Sequence, residues 1–246
     1  MCGAAGLLCA GQADVAGVNS PQIVPIRFFA DEAAAWIAAE ARAAIAERGL
    51  FRVALAGGNT PRAVHEALAR IGADIAWPRV QVTFGDERCV APDDAESNYR
   101  MAKESLFDRL PLPPNIFRIH GEVAPEDAAR EYEEKLAAVA ARFHEARYVH
   151  DLILLGMGPD GHTASLFLGS PALDETVRNV IPATGPKPPP QRITMTFPML
   201  NAARKICFLV NDAAKLPLVE KIVGGDTAFP AARVQPVAGS VTWLVG

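Results

Sequence analysis

From residue 26 onward, short apolar runs alternate with stretches whose apolar positions recur every three or four residues. The first pattern predicts buried strands and the second predicts amphipathic helices. Strands are expected at 26–30 (IRFFA), 51–56 (FRVALA), 80–84 (VQVTF), 115–119, 151–155 (DLILL), 192–196, 205–210 and 241–245. Helices are expected at 31–48, with Asp31 as cap and Gly49 as stop, and from Pro61 to about 71. Further helices are expected at 96–107, at 125–143 with Pro125 in its first turn, and at 212–223. Five prolines between residues 182 and 191 predict a loop there. DLILL is apolar at nearly every position, as in a strand covered on both faces. The βαβα rhythm predicts an α/β fold: a single-domain, mostly parallel Rossmann-like sheet with helices on both faces. No internal repeat is visible.

Residues 1–22 break this rhythm. They are rich in Gly and Ala, carry one charge (Asp14), and have no basic residue ahead of Leu7 and Leu8 as a secretory signal requires. The expected organisation is a loosely ordered extension over 1–22 and one domain over 23–246. The 246 residues are 50% hydrophobic, enough for one full core. A net charge of −4 gives no basic surface for nucleic acid or anionic membrane, and no apolar run approaches the ~20 residues that cross a bilayer. The four cysteines form no C-x-x-C pair, so neither a disulfide framework nor a zinc site is expected. Reduced thiols suit a cytoplasmic protein.

In parallel α/β sheets, ligands gather at the carboxyl ends of strands. Four such ends carry unusual residues. After Ala56, the loop GGNTP lets the backbone turn tightly, with Thr60 as expected cap for a helix begun by Pro61. The free N–H groups of Gly57, Gly58, Asn59 and Thr60 would then form an anion site at a helix N-terminus. It is not a Walker loop, since no Gly-Lys-Ser/Thr follows. After Phe84 comes GDER, where Arg88 offers a bidentate fork for phosphate, while Asp86 and Glu87 suit the orienting of loops. After Val210, Lys215 lies early in a helix, an unfavourable place for a cation unless an anion is near.

The fourth end, LLGMGPDGHTASLF (154–167), fits G-x-G-x-x-G. A dinucleotide loop would stand at the first βα turn, with an acid after the next strand. This one comes late, Asp174 and Glu175 lie in a Pro/Gly-broken segment, and Pro159 removes a donor. The loop instead presents Asp160 and His162 at the mouth of the sheet. A helix is expected to start near Thr163, and its N-terminus would favour a neutral imidazole, as a general base needs. A purely structural histidine tied by Asp160 and Thr163 is the competing reading. A serine hydrolase does not fit, because G-x-S-x-G is absent.

The segments ALAGGNTP, VTFGDERCVAPDDAESNYRMAKESLF, DLILLGMGPDGHTASLF and RITMTFPMLNAARKICFLVNDAAK occur in this order. Together they resemble the glucosamine-6-phosphate isomerase/6-phosphogluconolactonase family, from about Ile26 to Trp243. The resemblance implies hydrolysis of 6-phospho-D-glucono-1,5-lactone to 6-phosphogluconate in the oxidative pentose phosphate pathway. It implies no metal or cofactor, and a small phosphorylated lactone as the only partner of a monomer or weak homodimer. By the same resemblance His162 activates water, Arg88, Lys215 and the 57–60 loop hold phosphate, and Asn98 and Arg192 line the pocket. Backbone N–H groups of Gly158 and Gly161, or a nearby cation, are candidates for the oxyanion. Leu168 stands where the family's SLFPG has proline, and Asn211-Asp212 where it commonly has glycine. Two alternatives remain open. One is a glucosamine-6-phosphate deaminase-like isomerase, which would carry glutamate where Phe167 stands. The other is a sugar-phosphate sensor without catalysis.

Overall fold

The computed structural model describes residues 20–246. In chain order, β1 (Gln22–Pro25), α1 (Phe29–Arg48), β2 (Phe51–Leu55), α2 (Asn59–Ile71), β3 (Val80–Phe84), β4 (Asp86–Arg88), α3 (Asn98–Ser105), β5 (Asn115–Ile116) and α4 (Pro125–Arg142) form the first part. They are followed by β6 (Leu152–Leu155), β7 (Val180–Thr184), β8 (Gln191–Met195), α5 (Phe197–Leu200), β9 (Lys205–Val210), α6 (Leu216–Val223) and β10 (Ser240–Val245). Seven strands make a sheet in the order β1-β10-β9-β6-β2-β3-β5, with every pair parallel. The expected parallel α/β sheet, flanked by helices, is therefore present. Among the described residues no helix is long and apolar enough to cross a membrane.

β6 lies in the middle of this sheet, and all four of its residues are fully buried, as DLILL predicted. Further out, Phe208 of β9 and Trp243 of β10 stack with ring centroids 3.8 Å apart. The strand order places the ligand crevice. From β2 the chain moves outward to β3, whereas from β6 it moves the other way, to β9. The connections leaving these two neighbours diverge, which opens a crevice above their carboxyl ends.

Several boundaries differ from expectation. The first strand is Gln22–Pro25, so residue 22 belongs to the domain. Residues 1–19 of the expected extension lie outside the described residues. The 26–30 run is not a strand: Phe29, buried at 7%, opens α1 instead. Asp31 sits inside the first turn and is not the cap. The carboxylate of Glu32 accepts from the Arg27 and Phe28 N–H groups at 3.0 and 2.6 Å.

The proline-rich 182–191 segment is only partly a loop. Val180–Thr184 forms β7, paired antiparallel with β8 in a second sheet of order β4-β8-β7. β7 is the edge strand, where the missing N–H of Pro182 breaks no ladder. The alternation rule had no means to see this small sheet, since β4 has only three residues. The expected 212–223 helix is a 3-10 turn, Ala213–Lys215, running into α6.

Candidate functional site

All four loops singled out above meet at the crevice between β2 and β6. They form a cleft of about 230 Å³ whose wall includes the 56–61 loop, Asp86, Arg88, Asn98, the 154–158 segment, His162 and Lys215.

The 56–61 loop approaches α3 very closely. A Cβ on Gly57 would lie 2.0 Å from Asn98 Oδ1, so only glycine fits there. Gly58 has φ 103°, a conformation open to glycine, and it caps α2 with no side-chain bond. Thr60 is therefore not the cap. The helix already begins at Asn59, and no acidic residue occupies its first turn to offset the dipole. The leading N–H groups of α2, which have no intrahelical acceptor, remain as donors at the cleft wall.

Asp86, Glu87 and Arg88 of GDER form β4, and alternation sends their side chains two ways. Glu87 points under α3 and is 2% exposed. Its carboxylate accepts from the N–H groups of Arg88 (2.8 Å), Asn98 (2.7 Å) and Tyr99 (2.8 Å), and from Ser97 Oγ (3.2 Å). Burial pushes this carboxyl up to about 7, against the pull of those donors. Asp86 faces the cleft and bridges two elements, accepting from Asn98 Nδ2 at 3.1 Å and from Ser165 Oγ at 2.6 Å. The expected loop-orienting role of this acid pair is what the hydrogen bonds describe.

Arg88 and Arg192 are direct partners across β4 and β8, so their side chains leave the same face. The Nε of each is buried with no hydrogen-bond partner among the described residues. Arg88 Nη1 donates to the Glu96 carbonyl at 2.5 Å, and Arg192 Nη2 to the Lys187 carbonyl at 3.3 Å. Burial and then the adjacent Arg88 charge lower the pKa of Arg192. Arg88 forms part of the cleft wall, whereas Arg192 stands outside it as its neighbour.

His162 Nδ1 lies 2.5 Å from Asp160 Oδ1. Burial alone would raise the Asp160 carboxyl, but hydrogen bonding and attraction from His162 outweigh it and hold the group below its ordinary value. An ionised Asp160 fixes the ring proton on Nδ1 and leaves Nε2 as the acceptor. The Phe167 ring packs 4.5 Å from the imidazole centroid. Gly158 makes room for the pair, since a Cβ there would lie 2.2 Å from His162 Nδ1.

No helix follows His162. Thr163 and Leu166 form an isolated bridge, and Ala164 adopts a left-handed φ of 47°. The expected helix-dipole effect on the imidazole is therefore absent, and the Asp160 bond orients the ring instead. The oxyanion candidates also fail on geometry. The Gly158 N–H donates to the His162 carbonyl at 2.9 Å and the Gly161 N–H to the Gly158 carbonyl at 3.0 Å, so both close the loop on itself. Gly161 does not form part of the cleft wall. Lys215 reaches back to this loop, donating from Nζ to the Met157 carbonyl at 2.9 Å. Asp212 caps the 3-10 turn through the Ala214 N–H at 3.0 Å, and its carboxylate stays 4.0 Å from Lys215 Nζ.

Gly57, Gly58, Asn59, Thr60, Arg88, Asn98, Gly158, His162 and Lys215 thus share one cleft, with Asp160 behind the histidine. The sequence reading had not singled out Phe167 as a support for the imidazole. That contact depends on a loop conformation that periodicity does not encode.

These features define an α/β protein with a cleft lined by Arg88, Lys215 and the start of α2 beside a histidine–aspartate pair. The chain matches the family model described as glucosamine-6-phosphate isomerases/6-phosphogluconolactonase over residues 27–243. It is 41% identical over 211 residues to the 6-phosphogluconolactonase of Synechocystis sp., covering 82% of this chain and 84% of that protein. The 6-phosphogluconolactonase of Homo sapiens is 39% identical over 207 residues, with 80% and 79% covered. The crystal structure of 6-phosphogluconolactonase from Thermotoga maritima superposes with a TM-score of 0.80 at 30% identity, over 92% of this chain and 100% of that one. The chain belongs to the glucosamine-6-phosphate isomerase/6-phosphogluconolactonase family.

Proposed function

We propose that this chain hydrolyses 6-phospho-D-glucono-1,5-lactone to 6-phospho-D-gluconate, in the cytoplasm and in the oxidative pentose phosphate pathway, with His162 activating the attacking water. Relatives of that activity at 36–41% identity support the reaction. The observation that carries the mechanism is the single cleft in which a cation-lined cradle and His162 share one wall.

The chemistry assigns each group a task. The 57–60 loop, Arg88 and Lys215 hold the phosphate, with Arg192 adding positive charge behind Arg88. Holding the remote end orients the lactone carbonyl against His162. Nε2 takes a proton from water as its oxygen adds to the carbonyl carbon. The charge that develops on the carbonyl oxygen is met by the imidazolium that His162 has just become, since the Gly158 and Gly161 N–H groups are already engaged and Arg88 and Lys215 are on the phosphate. The tetrahedral adduct then collapses, the bond to the ring oxygen breaks, and that oxygen takes the proton back from Nε2. Asp160 keeps the ring in the tautomer both steps need. A deaminase-like isomerase would want a carboxylate at position 167, where Phe167 instead packs on the imidazole.

The test is a coupled assay with fresh lactone, with product acid measured against spontaneous hydrolysis. His162→Ala is expected to fold and to lose ~10²–10⁴-fold in kcat. Arg88→Ala is expected chiefly to raise KM. Near-wild-type turnover of His162→Ala removes the histidine from its role. Ligand-induced stabilisation of the wild type without turnover identifies a sensor instead.

A further inference from the structure

We infer that Asp86 is a specificity-determining residue that accepts a hydrogen bond from a ring hydroxyl of the substrate, so that the cleft selects a polyhydroxy lactone and not merely a phosphorylated one. The inference rests on the reaction proposed above.

Among the described residues, Asp86 is the one carboxylate of the cleft wall. The remaining polar groups of that wall are largely donors: Arg88, Lys215, Asn59, Thr60 and the leading N–H groups of α2. An acid placed among donors meant for an anion weakens phosphate binding unless it has a separate partner. Sugar hydroxyls are such partners, being neutral donors that a carboxylate accepts strongly.

The geometry leaves room for one. Each carboxylate oxygen offers two lone-pair sites. Oδ1 takes one donor, Asn98 Nδ2 at 3.1 Å, and Oδ2 takes one, Ser165 Oγ at 2.6 Å. Among the described residues, one acceptor site on each oxygen is unused. The carboxylate is also held in place. Asn98 Nδ2 donates to the Asp86 carbonyl at 2.9 Å, and the Ser165 N–H donates to Oγ1 of Thr194, the direct β8 partner of Asp86, at 3.2 Å. A fixed acceptor loses little freedom on binding, which is what discrimination between similar rings requires.

Position along β4 gives the polarity of the site. Asp86 and Arg88 are two residues apart on one strand, hence on the same face and roughly 6.6 Å apart. Arg88 and Arg192 make one end of that face positive, and Asp86 makes the other end negative. Phosphate is drawn to the first and repelled by the second, so the hydroxylated ring faces Asp86.

The test compares 6-phosphogluconolactone with its 2-, 3- and 4-deoxy analogues on the wild type and on Asp86→Asn and Asp86→Ala. At one position the wild type is expected to prefer the hydroxylated lactone by about 10- to 100-fold in kcat/KM, the worth of a hydrogen bond to a charged group. In the variants that preference should shrink to within about twofold. Loss of the Asn98 and Ser165 anchors alone would slow all four lactones equally and leave the ratio intact, which overturns the inference. A wild type that accepts every deoxy analogue equally overturns it without any variant. A wild type that fails to turn over the parent lactone refutes the proposed reaction instead.

Discussion

Glu87 sets up a contest whose outcome is measurable. Its side chain is almost wholly removed from water, which favours the neutral acid, yet four donors converge on its oxygens and favour the carboxylate. Burial prevails and raises the group from the ordinary 4.5 to about 7. At 1.36 kcal/mol per pH unit, this rise is worth about 3 kcal/mol of stability. The folded chain holds a proton between about pH 4.5 and 7 that the unfolded chain has released. The associated stability is therefore fully present below about 4.5 and is lost as pH rises through about 7. Other carboxyls, such as Glu122, pulled down to about 2 by the Arg118 hydrogen bond, act in the opposite direction at lower pH. A difference measurement cancels them.

Glutamine carries no titrating proton, but in either orientation its NH2 group meets a backbone N–H that Glu87 accepts from, so Glu87→Gln is expected to be about 1–3 kcal/mol less stable than the wild type near pH 5. Between pH 5 and pH 8 that difference is expected to shift by about 3 kcal/mol in favour of the variant, from the linkage just described. Urea unfolding at pH 5, 6, 7 and 8 reads this directly. A difference that stays flat across those pH values would show that the donors hold the carboxylate at its ordinary value, and would refute the argument from burial.

Three further outcomes follow from single contacts. Asp160→Asn replaces an acceptor-only carboxylate with an amide that can also donate, so the imidazole tautomer is no longer fixed, and kcat is expected to fall about 10- to 100-fold with KM little changed; a change confined to KM would contradict the assigned role. Gly57→Ala drives a methyl into Asn98, 2.0 Å from its Oδ1, so a loss of about 1–3 kcal/mol in urea unfolding and a raised KM are expected. A wild-type unfolding midpoint would mean that the loop gives way freely. His144, exposed just past the end of α4, has φ 58°, and its N–H donates to the Ala141 carbonyl at 3.0 Å. His144→Gly is expected to raise stability by about 1 kcal/mol and leave kcat unaltered, as glycine bears no left-handed penalty; a lowered Tm would count against this.

The main sheet was legible because parallel strands buried on both faces leave a strong signature. VQVTF and KICFLV became β3 and β9 at the predicted bounds, and Gly49 ended α1 in the left-handed conformation expected of a stop. The elements that escaped were those decided by pairing and not by pattern. β7 contains a proline and owes its strand conformation to β8. The first helix begins at Phe29 because Glu32 reaches back to satisfy the preceding N–H groups, a bond that outcompetes the nominal cap at Asp31. Of the site, the parts carried by residue type were visible early: glycines where backbones touch, arginine and lysine at strand ends, and a histidine beside an aspartate. The inner wiring of the histidine loop was not. Its closure through the Gly158 and Gly161 N–H groups and the left-handed Ala164 are three-dimensional choices, and they remove both the expected helix and the expected oxyanion donors.

The electrostatics of the cleft tie these points together. Arg88 and Arg192 face the same side from paired positions, repel each other, and keep buried Nε groups without acceptors. Burying cationic donors unsatisfied costs free energy. Nearby, the same chain gives Glu87 four neutral donors and Asp86 two, while Arg88 meets a carboxylate only at its outer edge, Glu96 Oε2 at 3.3 Å from Nη1. Glu87 is thus spent on holding α3, Asp86 ties α3 to the histidine loop with one acceptor site per oxygen to spare, and the guanidiniums keep donor capacity. That division gives one short strand two functions: Glu87 and Asp86 fix where the walls stand, and Arg88 supplies the charge that a phosphorylated ligand meets between them.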